Sequence, residues 1–502
     1  MNGKMIKIDT PEDEFYLDLI GDNCEVEVIN LRNRTDAHNN LVVVERLTPL
    51  HGVTGPEGKL FFVKDFLEKK TLIILSMSPD VAKTKIILTD YRIKVEHCGF
   101  PIAYGICNLG EEEKVIRSFL SNELKNPDTY TMVNNWGDCN NGENICYDFY
   151  YREIDTACEL GLDVVQIDDG WQTGSPAKTR IYYDDGEYTF YHDFYDGFWE
   201  VNTEKFPQGL KPLLDYAAKK DVKLGLWFAP DSRDCFKNYD RDMQFLRQAY
   251  RDGFRYFKLD MVVIKSYDDS RKFIKMLSEL SSLGDDISLQ IDVTGDIERL
   301  GFLCGFEHGK IFVENRFCKH RGYYPHTTLK NLWKLSRYIP AQLLQMEIAN
   351  RKHFTEYYRE SDRLAPVTYP SDYLFASVMV SNPLFWMEVQ ELDEEDKNQV
   401  KSIVNIWKMH KNALANTDIM PIGDEPNGSS LTGFLCVGDR YGYAVLLREV
   451  CEDDNFKFSL PFDASRIELL ASSDGVTFDS NEKEIKIKFT DMRQYAFCRF
   501  EM

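Results

Sequence analysis

Apolar residues along the chain keep two different rhythms. Up to about residue 105, and again from about 418, short β-branched or aromatic runs are separated by polar, Gly or Pro breaks. The runs at 25–29, 41–44, 72–75 and 84–88 predict strands of an N-terminal β-sandwich-like module. Those at 433–437, 442–447, 483–489 and 495–500 predict a small C-terminal antiparallel sandwich. The stretch 483–489 alternates charged and apolar residues, as a strand with one wet face does, and Asp474-Gly475 is a turn signal.

From Thr131 the rhythm changes to buried-looking strands separated by helical spacing. Strands are predicted at 131–136, 163–168, 223–228, 255–260, 287–292, 310–315, 341–348 and 378–387. Helices are predicted at 148–160, 208–219, 240–251, 269–283, 296–303, 326–338, 371–377 and 392–413, with a connecting helix at 111–125. Eight strand–helix units over about 280 residues are the size of a (β/α)8 barrel. A doubly wound open sheet is the rival, but no Gly-rich phosphate loop follows any strand. The expected fold class is α/β, a (β/α)8 TIM barrel at 111–415 between β domains at 1–110 and 416–502. The insertion 172–203, rich in Tyr, Asp and Phe, is expected at the rim of the barrel mouth or as a surface loop.

Composition narrows the function classes. In 502 residues, 60 Lys and Arg face 82 Asp and Glu, a net charge of -22. Such a surface repels nucleic acid and anionic membrane and suits a neutral ligand. There is no apolar run long enough to span a bilayer, and Met1-Asn2-Gly3-Lys4-Met5-Ile6 lacks the apolar core of an export signal. The 12 cysteines are scattered, which fits reduced thiols in the cytoplasm. With 9 His and no HxH or HExxH pattern, no metal site and no cofactor are expected.

Chemistry is expected where the barrel strands end, at the C-terminal mouth. The tips there are Trp136, Asp168, Asp169, Trp171, Trp227, Lys258, Asp260, Asp292, Glu314 and Asn315. Carboxylates that accept hydroxyl hydrogen bonds, together with aromatic faces, suit a sugar. Lys258 and Asp260 lie two apart on one strand, so their side chains point the same way. The ammonium favours the ionised carboxylate, the form a glycosidase nucleophile needs; a simple ion pair is the plainer reading. Asp168 and Asp169 repel one another unless they are hydrogen-bonded, and they could also cap the next helix. Glu314 is a candidate proton donor, or else a rim ion-pair partner of Arg316 or Arg321.

Four segments carry a resemblance. Asn134-Asn135-Trp136, Ile167-Asp168-Asp169-Gly170-Trp171, Gly225-Leu226-Trp227-Phe228-Ala229-Pro230-Asp231 and Tyr256-Phe257-Lys258-Leu259-Asp260 resemble, in order and spacing, the melibiase-type α-galactosidases of glycoside hydrolase family 36. The likeness extends to Asn382-Pro383-Leu384-Phe385-Trp386 and covers roughly 130–410. It implies a retaining exo-α-glycosidase with Asp260 as nucleophile. It further implies Lys258, Asp168 and Asp169 on the sugar hydroxyls, and Trp136 and Trp227 as pocket aromatics. The two catalytic acids of such an enzyme lie about 5–5.5 Å apart. Three departures stand out. Val313-Glu314-Asn315 replaces an aspartate-bearing acid/base segment. Asp292-Val293-Thr294-Gly295-Asp296 replaces a Cys-Ser-Gly-rich one. The N-terminal β module is about half the usual size. The implied partner is a small oligosaccharide or glycoside, and a homo-oligomer is compatible with it. A transglycosidase of the raffinose-synthase type and a non-catalytic sugar-binding relative are the alternative functions.

Overall fold

The computed structural model describes residues 3–502 apart from 10–13, 22–23, 32–40, 49–54, 78–83, 90, 97–98, 125–128, 139–141, 143, 175–178, 185–186, 193–194, 263, 265, 293–302 and 314–315. Of 179–184, 187–192, 233 and 303–304 only the backbone is described.

Eight parallel strands close into a barrel: β1 (Met132–Asn134), β2 (Val164–Ile167), β3 (Lys223–Phe228), β4 (Tyr256–Leu259), β5 (Ser288–Ile291), β6 (Gly309–Phe312), β7 (Leu344–Ile348) and β8 (Asn382–Phe385). Closure is direct, since β1 pairs with both β2 and β8. Successive side chains alternate. Val165, Ile167, Phe257 and Leu259 join the large core beneath the helices. Met132, Val164, Phe312, Leu384 and Trp386 form a separate cluster inside the bore.

The helices follow from apolar spacing and from their end signals. Tyr147–Leu160 buries Phe149, Tyr150, Ile154, Ala157 and Leu160 on one stripe. It stops at Gly161, whose φ of +77° turns its N–H back onto the carbonyls of Ala157 and Cys158. Tyr267–Ser281 starts at Ser266, whose hydroxyl accepts from the Asp269 N–H, and Glu394–Ala415 starts at Asp393, which accepts from Asp396 N–H. The helix expected at 296–303 falls mostly outside the described residues; a 3₁₀ turn, Leu303–His308, leads into β6. The strand expected from 378 begins only at Asn382, because Ser371–Val378 is helical and buried at all but one position. No described helix is long and apolar enough to cross a membrane.

Before the barrel, a six-stranded and a four-stranded antiparallel sheet enclose Val26, Val28, Phe61, Val63, Ile74, Ile86 and Val95. The outer face of the larger sheet (Ile29, Leu60, Ile73 and Leu75) continues into the barrel core through the helix Glu112–Glu123. After the barrel, a five-stranded and a three-stranded sheet enclose Leu446, Phe456, Ile487 and Phe500. Arg117, buried on the connecting helix, reaches Asp418 with Nε at 2.7 Å and so ties the C-terminal sheets to the N-terminal side.

The loops leaving β1 and β8 touch. A Cβ on Gly137 would stand 1.9 Å from the Trp386 carbonyl oxygen and 2.6 Å from its indole Cδ1. Gly137→Ala must therefore wedge β1 from β8 where the barrel closes, and should destabilise by about 1–3 kcal/mol. Thermal denaturation reads this directly; an unchanged midpoint would contradict the close approach.

Candidate active site

The strand ends bring one ammonium among three carboxylates. Lys258, inward on β4, has Nζ 3.1 Å from Asp168 Oδ2, 3.2 Å from Asp260 Oδ2 and 3.5 Å from Asp292 Oδ2. Its side chain is 2% exposed, as is that of Asp168; Asp292 is 1% and Asp260 14% exposed. Asp260 is thus the most open acid of the group. Burial alone lowers a lysine, but the facing Asp168, Asp260 and Asp292 carboxylates outweigh it and hold the ammonium well above the ordinary lysine range. The rings of Phe312 and Trp386 lie beneath it, with centroids 4.7 and 5.2 Å from Nζ.

Asp260, Asp168 and Asp169 each have their own fixed donors. Asp260 Oδ2 accepts from the Trp227 indole N–H at 2.9 Å, and Oδ1 from the Met261 backbone N–H at 2.5 Å. Met261 reaches that position with φ +54°, a left-handed conformation that costs a non-glycine residue about 1–3 kcal/mol and clusters at functional sites. Asp168 Oδ1 accepts from the Asp169 N–H, and Oδ2 from Asn134 Nδ2 at 2.6 Å as well as from Lys258. Asp169 Oδ1 accepts from Gln172 Nε2 at 2.5 Å. Burial pushes the Asp169 carboxyl up to about 7; the Gln172 bond opposes this, and the charges of Asp168 and Asp260 add to it. The adjacent acids of the sequence are therefore held by hydrogen bonds within the protein.

Of the residues singled out from the sequence, Asp168, Asp169, Trp227, Lys258, Asp260 and Asp292 meet in this one constellation. Trp136 sits beside it, half-buried against the bore cluster, with its N–H on Asn134 Oδ1 at 2.9 Å. Trp171 is placed elsewhere. Its ring stacks on Phe245 of the helix Tyr239–Asp252, and its indole N–H donates to the Trp227 carbonyl at 3.0 Å. It braces β3 from behind. Glu314 and Asn315 lie outside the described residues. The arginine considered as a rim partner of Glu314 is committed inward: Arg316 Nε meets Glu347 Oε1 at 2.9 Å, and its NH groups donate to Thr327 and Thr328. Arg321 donates to the Tyr357 carbonyl.

Sequence reasoning passed over Asn134, Gln166, Gln172, Gln290, Phe312 and Trp386. The signal for two of them was legible. Val-Val-Gln-Ile before Asp168 and Ser-Leu-Gln-Ile before Asp292 each place an amide two residues ahead of the acid, in a strand otherwise too apolar to hold one. Among the described residues, no group of His, Cys, Asp and Glu could hold a metal ion.

The buried Asp169 sets a pH dependence. An unfolded aspartate titrates near 4 and the folded one near 7, so the folded chain holds the extra proton between those values. That contribution to stability is full below about pH 4 and is lost as the pH rises through about 7. Asp169→Asn, which still offers Gln172 an oxygen, should gain stability relative to wild type across that window and level off above it. Melting curves from pH 4 to 9 check this; a difference independent of pH would contradict it.

Comparison with known proteins bears on the fold. The melibiase family model matches residues 108–240. Alpha-galactosidase 1 of Pediococcus pentosaceus is 31% identical over 143 residues, which are 27% of this chain and only 16% of that protein. The galactosidase domain of the α-galactosidase–sucrose kinase AgaSK superposes with a TM-score of 0.69 at 13% identity, covering 97% of this chain and 75% of that one. A variant of the α-galactosidase AgaA of Geobacillus stearothermophilus, solved in complex with stachyose, gives 0.67 at 12% identity, over 94% and 76% of the two chains. The melibiase match thus spans the first three barrel strands, and beyond it the chain shares its fold nearly from end to end with solved α-galactosidases.

Proposed function

We propose that this protein is a retaining exo-α-glycosidase, an α-galactosidase acting on terminal α-linked galactose-type sugars of small oligosaccharides. The observation that carries the reading is the Lys258 ammonium set among Asp168, Asp260 and Asp292, with only Asp260 open to a ligand. A carboxylate kept ionised by an ammonium and two N–H donors is prepared to attack an anomeric carbon. Asp260 adds to that carbon as the bond to the leaving oxygen breaks, giving a β-linked glycosyl-enzyme. Glu314 gives its proton to the leaving oxygen, then takes one from the water that releases the sugar, so the α configuration is restored. The ring of Trp136, half-buried beside the mouth, would meet the sugar's C–H face, while the buried Trp227 holds Asp260 through its indole N–H. The stachyose complex of the Geobacillus protein supports an oligosaccharide as substrate. A cytoplasmic location fits cysteines scattered along the chain without a compact disulfide framework.

Asp260→Asn should lower turnover of nitrophenyl α-galactoside by a factor of about 10³ or more, since the covalent step loses its nucleophile. Glu314→Gln should spare that activated substrate far more than an oligosaccharide, whose poor leaving group needs the proton. Turnover by Asp260→Asn near the wild-type rate, or release of the β-sugar as the first product by NMR, would overturn the reading.

A further inference from the structure

Closed barrels of this kind fill their bore with layers of Val, Ile and Leu. Here a line of amides runs down it beside the apolar cluster of Met132, Val164, Phe312, Leu384 and Trp386. Asn134 on β1, Gln166 on β2 and Gln290 on β5 are all buried, at 0%, 1% and 0% exposure. Asn134 Nδ2 donates both to Asp168 Oδ2 at 2.6 Å and to Gln166 Oε1 at 2.7 Å. Gln166 Nε2 donates to Gln290 Oε1 at 2.8 Å, and Gln290 Nε2 to the Tyr130 hydroxyl at 2.8 Å. That hydroxyl shares a hydrogen bond of 2.9 Å with Ser288 at the foot of β5. One unbroken chain thus joins Asp168 at the mouth to the opposite end of the barrel.

The chain has a fixed direction. The Trp136 N–H can be met only by an oxygen, so Asn134 must turn Oδ1 toward it. Its NH2 group then faces Asp168 and Gln166. Gln166 must in turn present its oxygen to Asn134, and Gln290 its oxygen to Gln166. No amide can flip without setting two donors, or two acceptors, against each other. Burying three amides where aliphatic side chains would serve carries a desolvation cost, and each gains only a modest net hydrogen bond in return.

We propose that Gln166 and Gln290 are positioning residues for the reaction. They hold the Asn134 amide against Asp168, which in turn fixes the Lys258 ammonium between Asp168 and Asp260. The proposal rests on the reading of Asp260 as the nucleophile of an α-glycosidase. Its consequence is long-range: a side chain in the middle of the bore, two hydrogen bonds from Asp168, sets the orientation of Asp168 and, through Lys258, the surroundings of Asp260.

The test uses Gln166→Leu, Gln290→Leu, Asn134→Ala and the double variant Asn134→Ala/Gln166→Leu in the full-length protein. Gln166→Leu should keep its melting temperature within a few degrees yet lose kcat/KM on nitrophenyl α-galactoside by about 10- to 100-fold, as loss of an outer support does elsewhere. The double variant should be no slower than Asn134→Ala alone, because both act through one contact. A crystal structure of Gln166→Leu should show the Asn134 amide turned away from Asp168 and Lys258 displaced with it. Equal losses on both backgrounds, or Asn134, Asp168 and Lys258 unmoved in that crystal, would overturn the proposal. If Gln166→Leu does not fold, Gln290→Leu is read the same way, with a smaller loss expected and an unchanged kcat/KM counting against it. A wild-type protein that cleaves no α-glycoside would refute the functional reading, and the crystal structure would still decide the positioning one.

Discussion

One of the buried cations, Lys258, organises the mouth of the barrel. Lys258 is taken almost wholly out of water, and only the carboxylates around it make that tolerable. Leaving such a charge without its partners costs about 3–5 kcal/mol, which is comparable to much of a domain's net stability. The strands that bear Asp168, Lys258 with Asp260, and Asp292 are therefore locked to a common height by electrostatics as well as by their ladders. The ladder agrees: the Asp260 N–H donates to the Phe228 carbonyl and the Asp292 N–H to that of Leu259, so each acid begins where the pairing of its strand ends. Fold and site are set by the same few contacts.

That coupling explains what could be read from the chain and what could not. A parallel strand covered on both faces must be a continuous apolar run, so an acid that ends one is conspicuous. Asp168, Asp260 and Asp292 were legible for that reason, and so were the eight strands that carry them. Lys258 was legible through its two-residue spacing from Asp260. Partner identity was not. Alternation tells that Gln166 and Gln290 point inward, but nothing local tells that β2 and β5 bring them to 2.8 Å across the bore. Trp171 was misjudged because adjacency to an aspartate in sequence does not fix which side of the sheet a ring takes; beyond the end of β2 the chain turns at Gly170, φ +110°, and carries the indole into the layer behind the strands. The start of β8 was misplaced where periodicity vanished: the helix Ser371–Val378, buried at all but one position, runs in sequence into the strand, which begins only at Asn382.

The bore carries buried polar side chains as well as its apolar cluster. Arg316 and Glu347, both buried, make a second ion pair around β6 and β7, with Arg316 further tied to Thr327 and Thr328 on the next helix. These buried polar contacts add little to stability relative to well-packed hydrocarbon. Their value lies in geometry: directional bonds define one arrangement of the mouth, whereas aliphatic packing tolerates several. The proposed reaction at a sugar's anomeric carbon needs a carboxylate oxygen placed within a fraction of an ångström, and a mouth framed in this way would supply it.

The central claim is that Asp260, ionised beside Lys258, forms a covalent bond to the sugar. The most direct measurement is intact and peptide mass spectrometry after reaction with 5-fluoro-α-galactosyl fluoride, which slows breakdown of a glycosyl-enzyme more than its formation. The account predicts one sugar per chain, carried by the peptide containing Tyr256-Phe257-Lys258-Leu259-Asp260 and absent from Asp260→Asn. A label on another acid, or steady turnover of sugar substrates with no covalent species at any time, would contradict it.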